Sequence, residues 1–221
     1  MIVAIDGPAG SGKSTIAKIL AERLGFRYLD SGAMYRAFTW KVVKSGLDFD
    51  NKEELHKLLD NTNIELKYLN DRLETFVDGV NVTDEIRYPS ITENIHHISN
   101  LEFVRKKMAE LQRDFAKGED IVAEGRDMAT VVFPDADKKI YLDAVINIRA
   151  KRRYSELKDL NNKDNLNKVV DDLKQRDHKD STRELAPLKK ADGSFYLDTT
   201  NLKIEEAVRL LIKEIEKVMK I

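Results

Sequence analysis

The sequence predicts an α/β fold, a five-stranded parallel sheet with helices on both faces and a small antiparallel β insertion. Three observations predict it. Short apolar runs rich in β-branched residues recur along the chain, as expected of strands buried on both faces. Helical-period segments separate them, the rhythm of crossover connections between parallel strands. Near the middle, charged and apolar residues instead alternate with period two between turn signals, the pattern of half-exposed hairpins.

The elements follow in order. Ile2 to Ile5 reads as the first buried strand. After a glycine-rich turn, Ile16, Ile19, Leu20 and Leu24 recur at helical spacing from Lys13 to Leu24, and Gly25 closes that helix. Phe26 to Leu29 is the second strand and Ala33 to Val43 the second helix, with Ser31 a candidate N-cap. The insertion spans about Asn61 to Arg87: Ile64 to Leu69, a turn at Asn70-Asp71, Leu73 to Val77, a turn at Asp78-Gly79, then Val80 to Val82. Helices are expected from Ser90 and from Leu101 to Ala116. Parallel strands resume at Ile121 to Ala123, Ile140 to Leu142 and Ser194 to Leu197, and Glu205 to Met219 is an amphipathic closing helix. From Asn147 to Arg183 runs a helical, charge-dense stretch with few apolar residues to hold it down.

Composition bounds the function. Over 221 residues, 38 basic side chains balance 39 acidic ones for a net charge of -1, which argues against nucleic acid or an anionic membrane as the main partner. With no cysteine, disulfides and thiolate-metal sites are excluded and a reducing cytoplasmic location is expected. The apolar start, Met1 to Ile5, stops at Asp6 and is shorter than a signal peptide or membrane span. No apolar stripe is left over, so a monomer is expected.

The strongest motif is Gly7-Pro8-Ala9-Gly10-Ser11-Gly12-Lys13-Ser14, which fits G-x-x-x-x-G-K-[ST] at every fixed position and lies between a buried strand and a helix. Its glycines let the backbone N–H groups turn toward phosphate oxygens, and the helix that follows adds its positive N-terminal end. Lys13 would reach the β- and γ-phosphates and the Ser14 hydroxyl would ligate Mg²⁺, with Thr15 next to it in the ATP site. The motif specifies a nucleoside triphosphate and leaves the acceptor open.

Further blocks narrow the acceptor: Leu29 to Arg36, Glu124-Gly125-Arg126-Asp127-Met128, Val131-Val132-Phe133-Pro134, Arg176-Asp177 with Asp180-Ser181 and Arg183, and Ala186-Pro187-Leu188. In this order they resemble the bacterial cytidylate kinases, within the nucleoside monophosphate kinases of the P-loop class, along nearly the whole chain. The resemblance implies transfer of the γ-phosphoryl group of ATP to CMP or dCMP, with Mg²⁺. It implies an acceptor site of Ser31, Tyr35, Arg36, Arg105, Arg126, Asp127, Arg176, Asp180 and Arg183, with Arg126 on the phosphate and Asp127 on the base. Residues 149–183 become a lid, with Arg176 and Arg183 catalytic alongside Lys13 and Arg152 near ATP; Arg149 and Arg153 are candidates for structural roles. The core is then 1–60 with 88–221, and 61–87 is an insertion of the acceptor-binding lobe. Arginine suits such roles because its planar fork meets phosphoryl oxygens two at a time.

Two positions depart from the family pattern: His96-His97 stand where a base-contacting serine is common, and Ala129 stands where glycine is common. Glu124 and Asp30, each ending a strand, compete for a place near Mg²⁺. Another small-molecule kinase, a non-catalytic nucleotide switch and a structural ATP-binding module remain the rival readings.

Overall fold

The computed structural model describes residues 1–69, 72–159 and 165–219. The expected turn at Asn70-Asp71 and the middle of the expected lid, 160–164, lie outside the described residues.

Spatial proximity divides the chain into two units, residues 1–29 with 118–221, and residues 30–117. The first is built on a five-stranded parallel sheet in the order β2-β6-β1-β7-β8. Its strands are β1 (Ile2–Asp6), β2 (Arg27–Asp30), β6 (Ile121–Gly125), β7 (Lys138–Asp143) and β8 (Phe195–Asp198). Val3, Ala4, Ile5, Val122, Ala123, Ile140 and Leu142 are fully buried, as the apolar runs require. At roughly 1.5–3 kcal/mol for each large side chain removed from water, this central layer is a main source of the unit's stability.

Helix α1 (Lys13–Leu24) has the predicted bounds. It starts straight out of the glycine loop, and Gly25 ends it in the left-handed conformation, its N–H reaching back to the last-turn carbonyls. α7 (Ile146–Asp159) and α8 (Leu166–Thr182) form the charge-dense pair, and α9 (Ile204–Met219) closes the chain. The charge-dense stretch proves better anchored than its composition suggests. Ala150, Val169 and Leu173 form a buried cluster with Ala9 of the glycine loop, and Ile146, Tyr154, Leu166 and Val170 pack around it.

The second unit begins with α2 (Ser31–Ser45), two residues earlier than the sequence pattern indicates. The cap is Asp30, whose side chain accepts from the Ala33 N–H; the expected cap, Ser31, is the first helical residue instead. A carboxylate and a hydroxyl are near-equal caps, so the Asp-Ser pair is ambiguous in sequence alone. There follow α3 (Lys52–Asp60) and a small antiparallel sheet of β3 (Ile64–Leu69), β4 (Arg72–Val77) and β5 (Val80–Asn81). β3 and β4 pack against α2. A 3₁₀ turn, Glu85–Arg87, leads into α4 (Pro89–Thr92), α5 (Ile95–Ser99) and α6 (Glu102–Ala116). Among the described residues, no helix is long and apolar enough to cross a membrane.

Candidate active site

The glycine loop joins the buried end of β1 to the first turn of α1, as the motif demands. Gly7 is required by close approach: a Cβ there would fall 2.0 Å from the Leu142 carbonyl oxygen. The carbonyls on the loop's far side are held by donors. Lys13 Nζ donates to the Pro8 carbonyl at 2.8 Å, and Arg149 Nη1 to that of Ala9 at 3.0 Å. The Ser11 carbonyl accepts from Thr199 Oγ1 at 3.1 Å, with Arg152 Nη1 at 3.5 Å. Engaging the carbonyls in this way fixes the peptide planes of the cradle, the preorganisation an anion-binding loop needs.

Arg149 does the most of this. Buried, it also donates from Nε to the Ala144 carbonyl at 2.8 Å and pairs through Nη1 with Asp177 on α8 at 2.6 Å. Arg153, by contrast, pairs with its exposed neighbour Glu156. Arg149→Ala is therefore expected to destabilise the protein by about 3 kcal/mol, since it strands buried carbonyls and a carboxylate. Arg153→Ala should cost under about 1 kcal/mol. Urea unfolding of the two variants measures the difference, and equal midpoints would contradict the assignment. Arg152, expected near ATP, lies beside the loop, but its terminal nitrogens are engaged with Thr199, at 3.0 Å to Oγ1 and 2.7 Å to the carbonyl.

Lys13 is buried. Burial first, and then the positive charge of Arg126, pushes its pKa down to about 7, with Arg176 acting in the same direction and Glu124 and Asp6 opposing. Charges of both signs therefore act on Lys13: Arg126 and Arg176 against its protonated form, Glu124 and Asp6 for it. Ser14 and Thr15 sit on the exposed first turn of α1.

Ser14 Oγ donates to Glu124 Oε1 at 2.6 Å, and the Tyr28 hydroxyl donates to the same oxygen at 3.1 Å. The two acids have different partners. Asp30 is engaged elsewhere in its own unit, capping α2 and pairing with Arg36 and Arg87. Glu124 is the carboxylate beside the Ser14 hydroxyl. A hydroxyl with one nearby carboxylate suits Mg²⁺, which keeps most of its water and phosphate ligands and needs few from protein. Among the described residues, no cluster of three or more His, Cys, Asp or Glu could hold a metal unaided.

Beyond β6 the chain turns through Arg126 and Asp127 into a single π turn, Met128–Val132, in which Val132 and Phe133 donate five residues back. Such turns often mark functional sites. Asp6 holds this one. Buried at the end of β1, its two oxygens accept from the Met128 and Ala129 N–H groups, each at 2.8 Å. Burial pushes its carboxyl up to about 6 in spite of those bonds. In the sequence, Asp6 shows only as a lone acid ending an apolar strand just before the cradle. At Ala129, a side chain fits, so the departure from glycine leaves the turn intact.

Arg126 Nε donates to Asp180 Oδ2 at 2.8 Å. Arg183 reaches 3.9 Å from Asp127 and 4.0 Å from Asp180, and its Nε donates to the Ala186 carbonyl. Arg126, Asp127, Asp180 and Arg183 thus form one connected charge network in the first unit. In the second unit, Tyr35 and Arg105 come together, the guanidinium 5.6 Å from the ring centroid and donating to the Ser99 carbonyl. Arg105 is buried, where a lone helical arginine is normally solvated. Ser31 is buried on the first turn of α2, one turn from Tyr35. His96 and His97 pack ring on ring at 3.9 Å, and His97 also lies 5.1 Å from Phe49, a packing arrangement.

A parallel sheet, a glycine cradle opening a helix, and a buried lysine at the cradle's end define a P-loop protein of the kinase class. The cytidylate kinase family model matches residues 3–217, and the chain belongs to that family. The chain is 44% identical to a cytidylate kinase of Lactobacillus johnsonii, covering 100% of this chain and 96% of that one. It is 43% identical to a cytidylate kinase of Caldicellulosiruptor saccharolyticus, over 98% and 96% respectively. A solved structure of an uncharacterized protein from Eubacterium ventriosum aligns with a TM-score of 0.52 at 14% identity, covering 98% of each chain, a likeness of fold alone.

Proposed function

We propose that this protein transfers the γ-phosphoryl group of ATP directly to CMP or dCMP, giving CDP or dCDP and ADP. Family membership supports the reaction. Within the structure, the observation that carries the reading is the glycine loop between β1 and α1 with the buried Lys13 at its end, in the same unit as the charge network of Arg126, Asp127, Asp180 and Arg183. Lysine and arginine side chains in such a site suit a transfer in which negative charge spreads over the moving group.

In this reading Gly7 to Thr15 cradle ATP, with Arg152 bracing the loop beside it. Lys13 holds the β- and γ-phosphates, and Arg176 and Arg183 neutralise the transferring group. Arg36 and Arg126 bind the acceptor phosphate, Asp127 and Arg105 read the base, and Ser31, Tyr35 and Asp180 complete acceptor binding. Mg²⁺, held through the Ser14 hydroxyl with Glu124 beside it, would add charge neutralisation on the phosphate oxygens. No covalent enzyme intermediate is needed, so rate comes from positioning and electrostatics. Residues 149–183 act as the lid that keeps water from the γ-phosphate. The insertion at 61–87, packed on the helix that carries Ser31, Tyr35 and Arg36, shapes acceptor binding. The protein acts on small molecules as a cytoplasmic monomer, without nucleic acid or membrane. A coupled assay of ADP release across nucleoside monophosphates tests the proposal.

A further inference from the structure

We propose that Arg87 is a positioning residue for the acceptor's phosphate, because it shares the buried Asp30 carboxylate with Arg36 and keeps that carboxylate neutralised when Arg36 turns to the anion. The inference rests on the reading of Arg36 as a phosphate ligand.

Asp30 is 4% exposed. Its Oδ1 caps α2 through the Ala33 N–H, at 2.9 Å. Its Oδ2 accepts from Arg36 Nη2 at 2.9 Å and from Arg87 Nη2 at 2.8 Å. Two guanidiniums thus share one carboxylate oxygen. The two arginines differ in their surroundings. The Arg36 side chain is 12% exposed and follows from α2 itself, whereas that of Arg87 is 48% exposed and reaches in from the end of the insertion.

Withdrawing a sole partner from a buried carboxylate leaves an uncompensated charge, and that alone would hold Arg36 back. With Arg87 on the same oxygen, Arg36 can turn to the phosphate while Asp30 keeps a partner. The surrounding residues favour this arrangement. Gly32 leaves room for it, since a Cβ there would stand 3.0 Å from Arg36 Nη1 and 3.2 Å from Asp30 Oδ1. Arg87 itself is anchored: Ile86 beside it is fully buried, and Glu85 accepts from Trp40 Nε1 at 2.7 Å. The insertion thereby gains a chemical role, supplying the cation that holds Asp30.

Steady-state kinetics with CMP and ATP on wild type, Arg36→Ala, Arg87→Gln and Arg87→Lys test the inference. Both Arg87 variants keep a polar side chain with a donor, so the comparison isolates charge. Arg87→Gln should raise KM for CMP at least about tenfold while kcat and KM for ATP change little, and Arg87→Lys should recover most of the loss. A lower melting temperature for Arg87→Gln with unchanged KM for CMP would make Arg87 a structural tie only and overturn the inference. Arg36→Ala separates the two levels. If it leaves KM for CMP unchanged, the reading of Arg36 fails and the inference fails with it; if it raises KM and Arg87→Gln does not, only the inference fails.

Discussion

Lys13→Ala is expected to lower turnover by about a hundredfold or more while the protein still folds. Lys13 is buried at the start of α1, donating to the Pro8 carbonyl. A charge-assisted contact to a phosphoryl group in a closed site is worth on the order of 3 kcal/mol in the transition state. The fold should survive because burial already disfavours the charged lysine there, and alanine is the best helix former. Its depressed pKa gives a second readout. Near pH 7.5 the free protein holds Lys13 partly neutral, and the negative phosphates of ATP favour the charged form. ATP binding should then take up a proton, seen as a buffer-dependent heat, and binding should weaken as pH rises above 7. Both effects should vanish in Lys13→Ala. Near wild-type kcat in the purified variant would refute the cradle's role.

Asp127 carries the second large effect. Cytosine presents an N4 amino donor where uracil presents a carbonyl, and a carboxylate is the natural acceptor for N4. Asp127 is buried, at the start of the π turn that Asp6 clamps, with Arg183 3.9 Å away. Facing uracil, its carboxylate would oppose another acceptor with no water to relieve it. A site built to pair one group rejects the analogue lacking it. CMP should therefore exceed UMP by at least ~100-fold in kcat/KM. Asp127→Ala should shrink that ratio mainly by losing activity on CMP. Retention of the full preference by the variant would remove Asp127 from base recognition.

The sheet was legible in the sequence because parallel strands buried on both faces leave unbroken apolar runs, and Ile2–Asp6 and Ile121–Gly125 are such runs. α1 was legible to the residue because glycine punctuates both ends. The start of α2 was not, since Asp30 and Ser31 are both competent caps and only tertiary structure shows Asp30 in place. Among the arginines of 149–183, the pattern of charge could not tell which would brace the cradle. That depends on Arg149 meeting the Ala9 carbonyl and Asp177, contacts between residues far apart in the chain. Asp6 and Arg87 escaped for the same reason. Each acts on backbone or side-chain groups that sequence spacing does not bring together, Asp6 on residues 122 and 123 positions away and Arg87 on one 57 away. The motif residues were legible because local geometry alone dictates their chemistry.

The most direct measurement is a coupled assay of ADP release by the wild-type protein with MgATP and, in turn, CMP, dCMP, UMP, AMP and GMP. The account predicts that CMP and dCMP give the highest kcat/KM, with CDP or dCDP formed in step with ADP. A higher kcat/KM with UMP or AMP, or ADP release that no monophosphate stimulates, would contradict it.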